Sequence, residues 1–197
     1  MAPRNQGSGS ITGIKLTDDS YFVKQHMVRN KYEVYDSTKE NLVLKAKQKL
    51  FKMKEEIPFT DSEGREVFSI KAHNILDIAG DYALVDKRQG QDRTLAVLKK
   101  DFTFFRHKWR IKDPEGNELA KVTSRSFAFD VLRTFSSLFN LLPFKYTIEA
   151  GNGARVGTIK EKLSFKDKYW VRIEETGSLP KETLIASAIA VDALEGR

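Results

Sequence analysis

Three histidines, His26, His73 and His107, are the first residues to weigh for chemistry, and each stands alone. None has the H-x-x-x-H or H-x-H spacing that sets two imidazoles on one face for a metal. The chain has no cysteine, which removes disulfides, thiolate ligands and a thiol nucleophile. It carries no G-x-S-x-G elbow, phosphate loop or dinucleotide fingerprint. Gly151-Asn-Gly153 is a turn, because no helix follows it to cradle a phosphate. The acidic pairs Asp18–Asp19, Glu55–Glu56 and Glu174–Glu175 are adjacent. On strands such neighbours point to opposite faces, which is not the geometry of a glycosidase pair. No catalytic residue, metal or cofactor is expected, and the chain reads as a non-enzyme.

What the chain does offer is lysine. It has 34 basic residues against 27 acidic ones, a net charge of +7. Lys45, Lys47 and Lys49 alternate along a strand and share a face. Lys52 and Lys54 follow, on a segment that also carries Phe51 and Met53. A second cluster holds Lys99, Lys100, Arg106, Lys108 and Arg110, and a third holds Lys160, Lys162, Lys166 and Lys168. A basic surface of this kind suits anionic lipid headgroups, each near-surface charge contributing about 1 kcal/mol. The plainer reading is a solvated outer wall, where lysines also block edge pairing. Glu55, Glu56, Asp101 and Glu161 sit among them and would weaken a patch. The residues taken forward as candidate lipid contacts are Lys45, Lys47, Lys49, Lys52, Lys54, Arg106, Lys108 and Arg110. Nucleic acid is not an expected partner, since the charge excess is mild and no basic recognition helix or known module accompanies it.

The elements that would carry these residues recur. Tyr32–Asp36, Pro58–Asp61, Tyr82–Asp86, Trp109–Asp113 and Tyr146–Ala150 each end at a turn and are followed by a second strand. Asp supports such a turn by side-chain bonding, and Gly accepts positive φ. The turn residues Asp36, Asp61, Asp86 and Asp113 are 25, 25 and 27 residues apart, and Ala150 takes the place after a gap of 37. Further strand pieces fall at 48–54, 74–78, 102–105 and 162–166, which makes roughly twelve strands. So many antiparallel strands with one apolar face must close or sandwich to lose their edges. The stretch from Thr183 to Val191 has no charge and is apolar around its whole circumference, the mark of a buried helix. At about 14 residues it is too short to span a bilayer. The expected architecture is mainly β, a closed antiparallel barrel of about twelve strands around a buried C-terminal helix near 181–195.

The long interval holds an insertion, 127–144. Val131, Phe135, Leu138 and Leu142 repeat at helical spacing with Leu132 and Phe139 beside them, and Pro143 ends the run. A short amphipathic helix over 130–142 is expected. It either plugs one end of the barrel or presents Phe135, Leu138, Phe139 and Leu142 to a membrane or a protein partner. Asp192, the acidic residue on the core helix, must be paired or protonated, through backbone groups or a barrel Arg or Lys. Residues 1–14 read as a disordered tail without the apolar run of a signal peptide. One domain over 15–197, monomeric and cytoplasmic, with at most peripheral membrane contact, is expected.

The D-x-x-G hairpins at Asp61–Gly64 and Asp113–Gly116, the segment Lys49–Lys52 and the closing Ala188–Asp192 give the chain its likeness. Over about residues 15–195 it resembles the LURP-one-related group of the tubby C-terminal-like superfamily. Phospholipid scramblases are more distant members. The resemblance implies a twelve-stranded barrel around a hydrophobic helix. Through tubby it implies phosphoinositide binding, with no lipid-contacting residue transferable one by one. It leaves two functional expectations, a binding module for anionic phospholipid surfaces and a soluble protein-interaction module.

Overall fold

The computed structural model describes residues 16–26, 31–51, 54–72, 81–87, 92–101, 108–124, 145–162, 165–174 and 179–194. The expected tail, the strand pieces at 74–78 and 102–105, and the insertion helix at 130–142 lie outside them.

Hairpin turns set the frame. At Asp61 the side chain accepts from the backbone N–H of Glu63 (3.0 Å) and Arg65 (2.9 Å). At Asp113 it accepts from the Asn117 N–H (2.7 Å) and the Asn117 side-chain amide (2.8 Å). Three residues on, Gly64 and Gly116 take φ of 84° and 92°, and each donates its N–H to the Asp carbonyl at 3.1 Å. The Ala150 turn repeats this with Gly153, φ 83°.

These turns join β1 (Ser20–His26), β2 (Lys31–Tyr35), β3 (Leu42–Lys47), β4 (Lys49–Phe51), β5 (Lys54–Thr60), β6 (Glu66–Ala72), β7 (Asp81–Asp86), β8 (Arg93–Asp101), β9 (Lys108–Lys112), β10 (Glu118–Ser124), β11 (Lys145–Ala150), β12 (Arg155–Lys162) and β13 (Phe165–Ile173). The first strand pairs with the last, Phe22 opposite Trp170. Closure comes from β5, which pairs with β3 through Lys45↔Thr60 and Ala46↔Phe59 and then with β4 through Lys49↔Glu56 and Phe51↔Lys54. The register is unbroken across Gln48, so β3 and β4 act as one strand. The ring is therefore a closed antiparallel barrel of twelve strands, as expected, with no free edge.

Strand alternation divides the wall. On β2 Tyr32 and Val34 are buried while Lys31, Glu33 and Tyr35 face outward. Inside lie Tyr21, Tyr32, Phe59, Phe68, Trp109 and Ile111, all at most 1 % exposed. An eight-stranded barrel is just filled by its side chains; twelve strands leave room for a helix about 10 Å wide. That space holds α1 (Lys181–Leu194), buried from Glu182 to Val191. Its alanines keep it slim enough to sit inside the ring. Ser187 Oγ, inside the core, donates to the Thr183 carbonyl at 2.6 Å, so the helix satisfies this hydroxyl from its own backbone. Lys181 Nζ donates to the Asp18 carbonyl at 2.7 Å and to Asp19 at 3.2 Å, tethering the helix N-terminus to the start of β1. At the other end Asp192 meets the Tyr32 hydroxyl, which accepts from Gln25 Nε2 at 3.0 Å. The partner is thus a tyrosine on the inner face of β2, where the sequence suggested backbone or a cation. Burial pushes the Tyr32 phenol up, and the Asp192 charge adds to it.

Candidate functional site

The outer face of β13–β1–β2–β3 brings the candidate lysines into company. Register places Lys168, Lys24, Glu33 and Lys45 side by side across four strands, and His26, Lys31 and Lys47 in the adjoining row. Lys45 and Lys47 are exposed, and Lys24 and Lys31 half-buried. Glu33 is the only described carboxylate pointing out of these rows. It is engaged sideways: its Oε2 lies 2.9 Å from His26 Nε2 and accepts from the Tyr35 hydroxyl at 3.0 Å. The His26 contact, with Tyr35 assisting, holds Glu33 below the usual carboxylate range. Lys24, directly across from Glu33, adds a weaker charge attraction to the same carboxylate.

A second row on the same face is aromatic. Trp170, Phe22 and Tyr35 are direct cross-strand neighbours on β13, β1 and β2. The Phe22 and Trp170 rings are 5.3 Å apart and tilted by 56°, a favourable aromatic pairing. Lys39, in the β2–β3 turn, reaches over both, its Nζ 5.1 Å from each centroid. This turn repeats the Asp-based design: Asp36 accepts from the Asn41 side-chain amide (2.6 Å) and the Thr38 hydroxyl (2.7 Å), contacts that hold its carboxyl down at about 2. Ser37 anchors the turn to Asp18 through its hydroxyl (2.5 Å) and N–H (2.8 Å). One residue differs. Where the sister turns have glycine, this one has Lys39, at φ 67°. A left-handed conformation costs a non-glycine residue about 1–2 kcal/mol, and an exposed cation–π contact returns about 0.5–1 kcal/mol.

The remaining sequence candidates fall elsewhere. Lys108 and Arg110 lie on β9, six strands from β2 in either direction around the ring. There Arg110 Nε donates to Asp101 at 2.9 Å and Lys108 lies 3.6 Å from the same carboxylate. Beside them Lys99 meets Asp81 at 3.4 Å and Lys121 meets Glu118 at 2.9 Å. Lys49 lies on β4 and Lys54 on β5, beyond the Lys45–Lys47 stretch of the same sheet. Lys52, Arg106, Phe135, Leu138, Phe139 and Leu142 lie outside the described residues. Sequence reasoning missed Phe22, Tyr35, Trp170, Lys24, Lys31 and Lys39. The one legible signal was the lysine at the glycine position of the first turn; the rest depends on contacts between strands far apart in the chain.

Among the described residues no cluster of three His, Asp or Glu side chains could hold a metal, and no helix is long and apolar enough to cross a membrane. Comparison with known proteins agrees with the fold. A family model described as LURP-one-related matches residues 19–192. A crystal structure of a protein from Arabidopsis thaliana is similar over 95 % of this chain and 99 % of its own, with a TM-score of 0.56 and 13 % identity. No curated protein matches the chain.

Proposed function

The chain belongs to the LURP-one-related family, and from that premise we propose a non-enzymatic binding module for anionic phospholipid surfaces, phosphoinositides among them. The observation that carries the reading is the excess of cations on the outer face of β1–β3, where Lys24, Lys31, Lys45 and Lys47 surround one described carboxylate, Glu33. A barrel wall usually mixes its charges, as the β8–β10 side of this one does. A lysine already matched to a carboxylate has little field left for a phosphate, whereas several unmatched lysines on one rigid sheet act together. Each contributes about 1 kcal/mol at an anionic surface and is screened beyond about 10 Å at 0.1 M salt. Strands fix their backbone, so only side-chain rotamer freedom is lost on binding. The module acts as a monomer, peripheral to the cytoplasmic leaflet, with residues 15–197 as its single domain.

Vesicle flotation tests this. The chain is expected to float with vesicles containing phosphatidylserine or a phosphoinositide, to release as salt rises, and to ignore pure phosphatidylcholine. Binding that is absent from every anionic vesicle, or indifferent to salt, would overturn the reading.

A further inference from the structure

We propose that Phe22 and Trp170 are the apolar anchor of this face, seated at the headgroup–acyl boundary of an anionic bilayer, and that Lys39 covers them until it docks. The inference rests on the lipid reading above and names the residues that would touch the membrane interior.

Three observations converge on the pair. First, Trp170, Phe22 and Tyr35 point outward, and register sets them in one row; the corresponding outward positions of β8, β9 and β10 hold Val97, Lys99, Lys108, Arg110, Lys121 and Thr123. Amphipathic aromatic rings beside lysines are the composition of a membrane–water interface. Second, the ammonium of Lys39 stands 5.1 Å from both ring centroids. In water that contact shields two half-exposed rings; beside a phosphate, the same ammonium gains a stronger, charge-assisted partner. Third, Lys39 takes the left-handed conformation that glycine takes in the sister turns, φ 67° against 84° and 92°. Glycine would close the turn more easily, so a side chain here carries a backbone cost that its ring contacts offset only in part, and strained positions of this kind cluster at functional sites. The turn need not refold to release it. Asp36 and Asp18 hold its backbone through Asn41 and Ser37, so the lysine side chain alone has to swing away.

The flanks complete the fit. On β1 Phe22 is followed two residues on by Lys24, and on β13 Trp170 lies between Lys168 and exposed Arg172. Rings at the centre and cations around them match acyl boundary at the centre and phosphates around it.

The chain supplies its own reporter. It has two tryptophans, and Trp109 is buried inside the barrel at 1 % exposure. The full-length chain would be mixed with phosphatidylserine-containing vesicles whose acyl chains are brominated near the headgroup. Trp170 emission is expected to shift to the blue and be quenched, and a Trp170→Phe variant, reporting Trp109 alone, should show neither change. Phe22→Ser should weaken flotation about tenfold, and the double variant Phe22→Ser with Trp170→Phe, whose emission comes from Trp109 alone, should keep that emission unchanged and so show a folded barrel. Lys39→Gly should keep the quenching and lower the salt sensitivity. Flotation without Trp170 quenching would overturn the anchor and leave the lipid reading standing. No flotation at all would overturn both, and equal affinity for a soluble inositol phosphate and for vesicles would show that the rings contribute nothing.

Discussion

Two walls of the same barrel carry comparable numbers of cations and treat them oppositely. On β7–β10, Lys99, Lys108, Arg110 and Lys121 meet Asp81, Asp101 and Glu118 across or along the sheet. On β1–β3, Lys24, Lys31, Lys45 and Lys47 share the surface with one described carboxylate, Glu33, whose hydrogen bonds go to His26 and Tyr35 and to which Lys24 adds a weaker charge attraction. Composition would rank the second cluster of the sequence at least equal to the first. Register decides otherwise. An Asp that falls in line with a cation on the next strand cancels it; one that falls inward or a row away does not. Clusters counted along the chain are therefore poor guides to surface potential in a sheet protein.

The largest effect should separate the walls directly. Replacing Lys24, Lys45 and Lys47 together by Gln is expected to weaken vesicle binding by roughly 100-fold, from about 1 kcal/mol per charge. The same change at Lys99, Lys108 and Arg110 should weaken it less than about threefold, since their charges are already matched. Equal losses from the two triples, read by vesicle titration at low salt, would erase the distinction. Removing the match should create what the second wall lacks. Asp101→Asn leaves Arg110 and Lys108 without that carboxylate and is expected to raise vesicle affinity about fivefold, for about 1 kcal/mol gained.

The turns offer a sharper contrast. Gly64→Lys places a side chain at φ 84° with nothing within 4 Å to receive it, and should cost about 1 kcal/mol in urea unfolding. Lys39→Gly relieves the same strain while losing its ring contacts, and should shift stability by less than about 0.5 kcal/mol. A large loss at both turns would mean that Lys39 is a structural rivet.

The smallest effect is the acid response of the β2–β3 turn. Folding lowers the Asp36 carboxyl from 3.8 to about 2, so its contribution is complete above about pH 3.8 and is lost as pH falls towards 2. Asp36→Ala should flatten the acid side of the stability curve in that window. Asp113, held low by the Asn117 side-chain amide, would supply part of the remaining slope.

Much of the fold could be read in advance because its signals are local. An Asp with a glycine three residues on states a hairpin turn whatever lies around it, and recurrence of that unit demands a closed sheet. An uncharged run from Thr183 to Val191, apolar on every side, has nowhere to sit except inside. The same holds for the absence of paired histidines, thiols or nucleophile motifs. The candidate face was hidden for the opposite reason. Phe22 and Trp170 belong to the first and last strands, and only the β1–β13 pairing makes them neighbours. The lysine at position 39 was visible as an odd residue in a familiar turn, but its two rings were not. Local signals along the chain account for the hairpins, the helix at their axis and the alternation that sends lysines outward. The tertiary structure decided which lysines keep their charge to themselves, because cancellation depends on the register between strands, and no single strand carries that information.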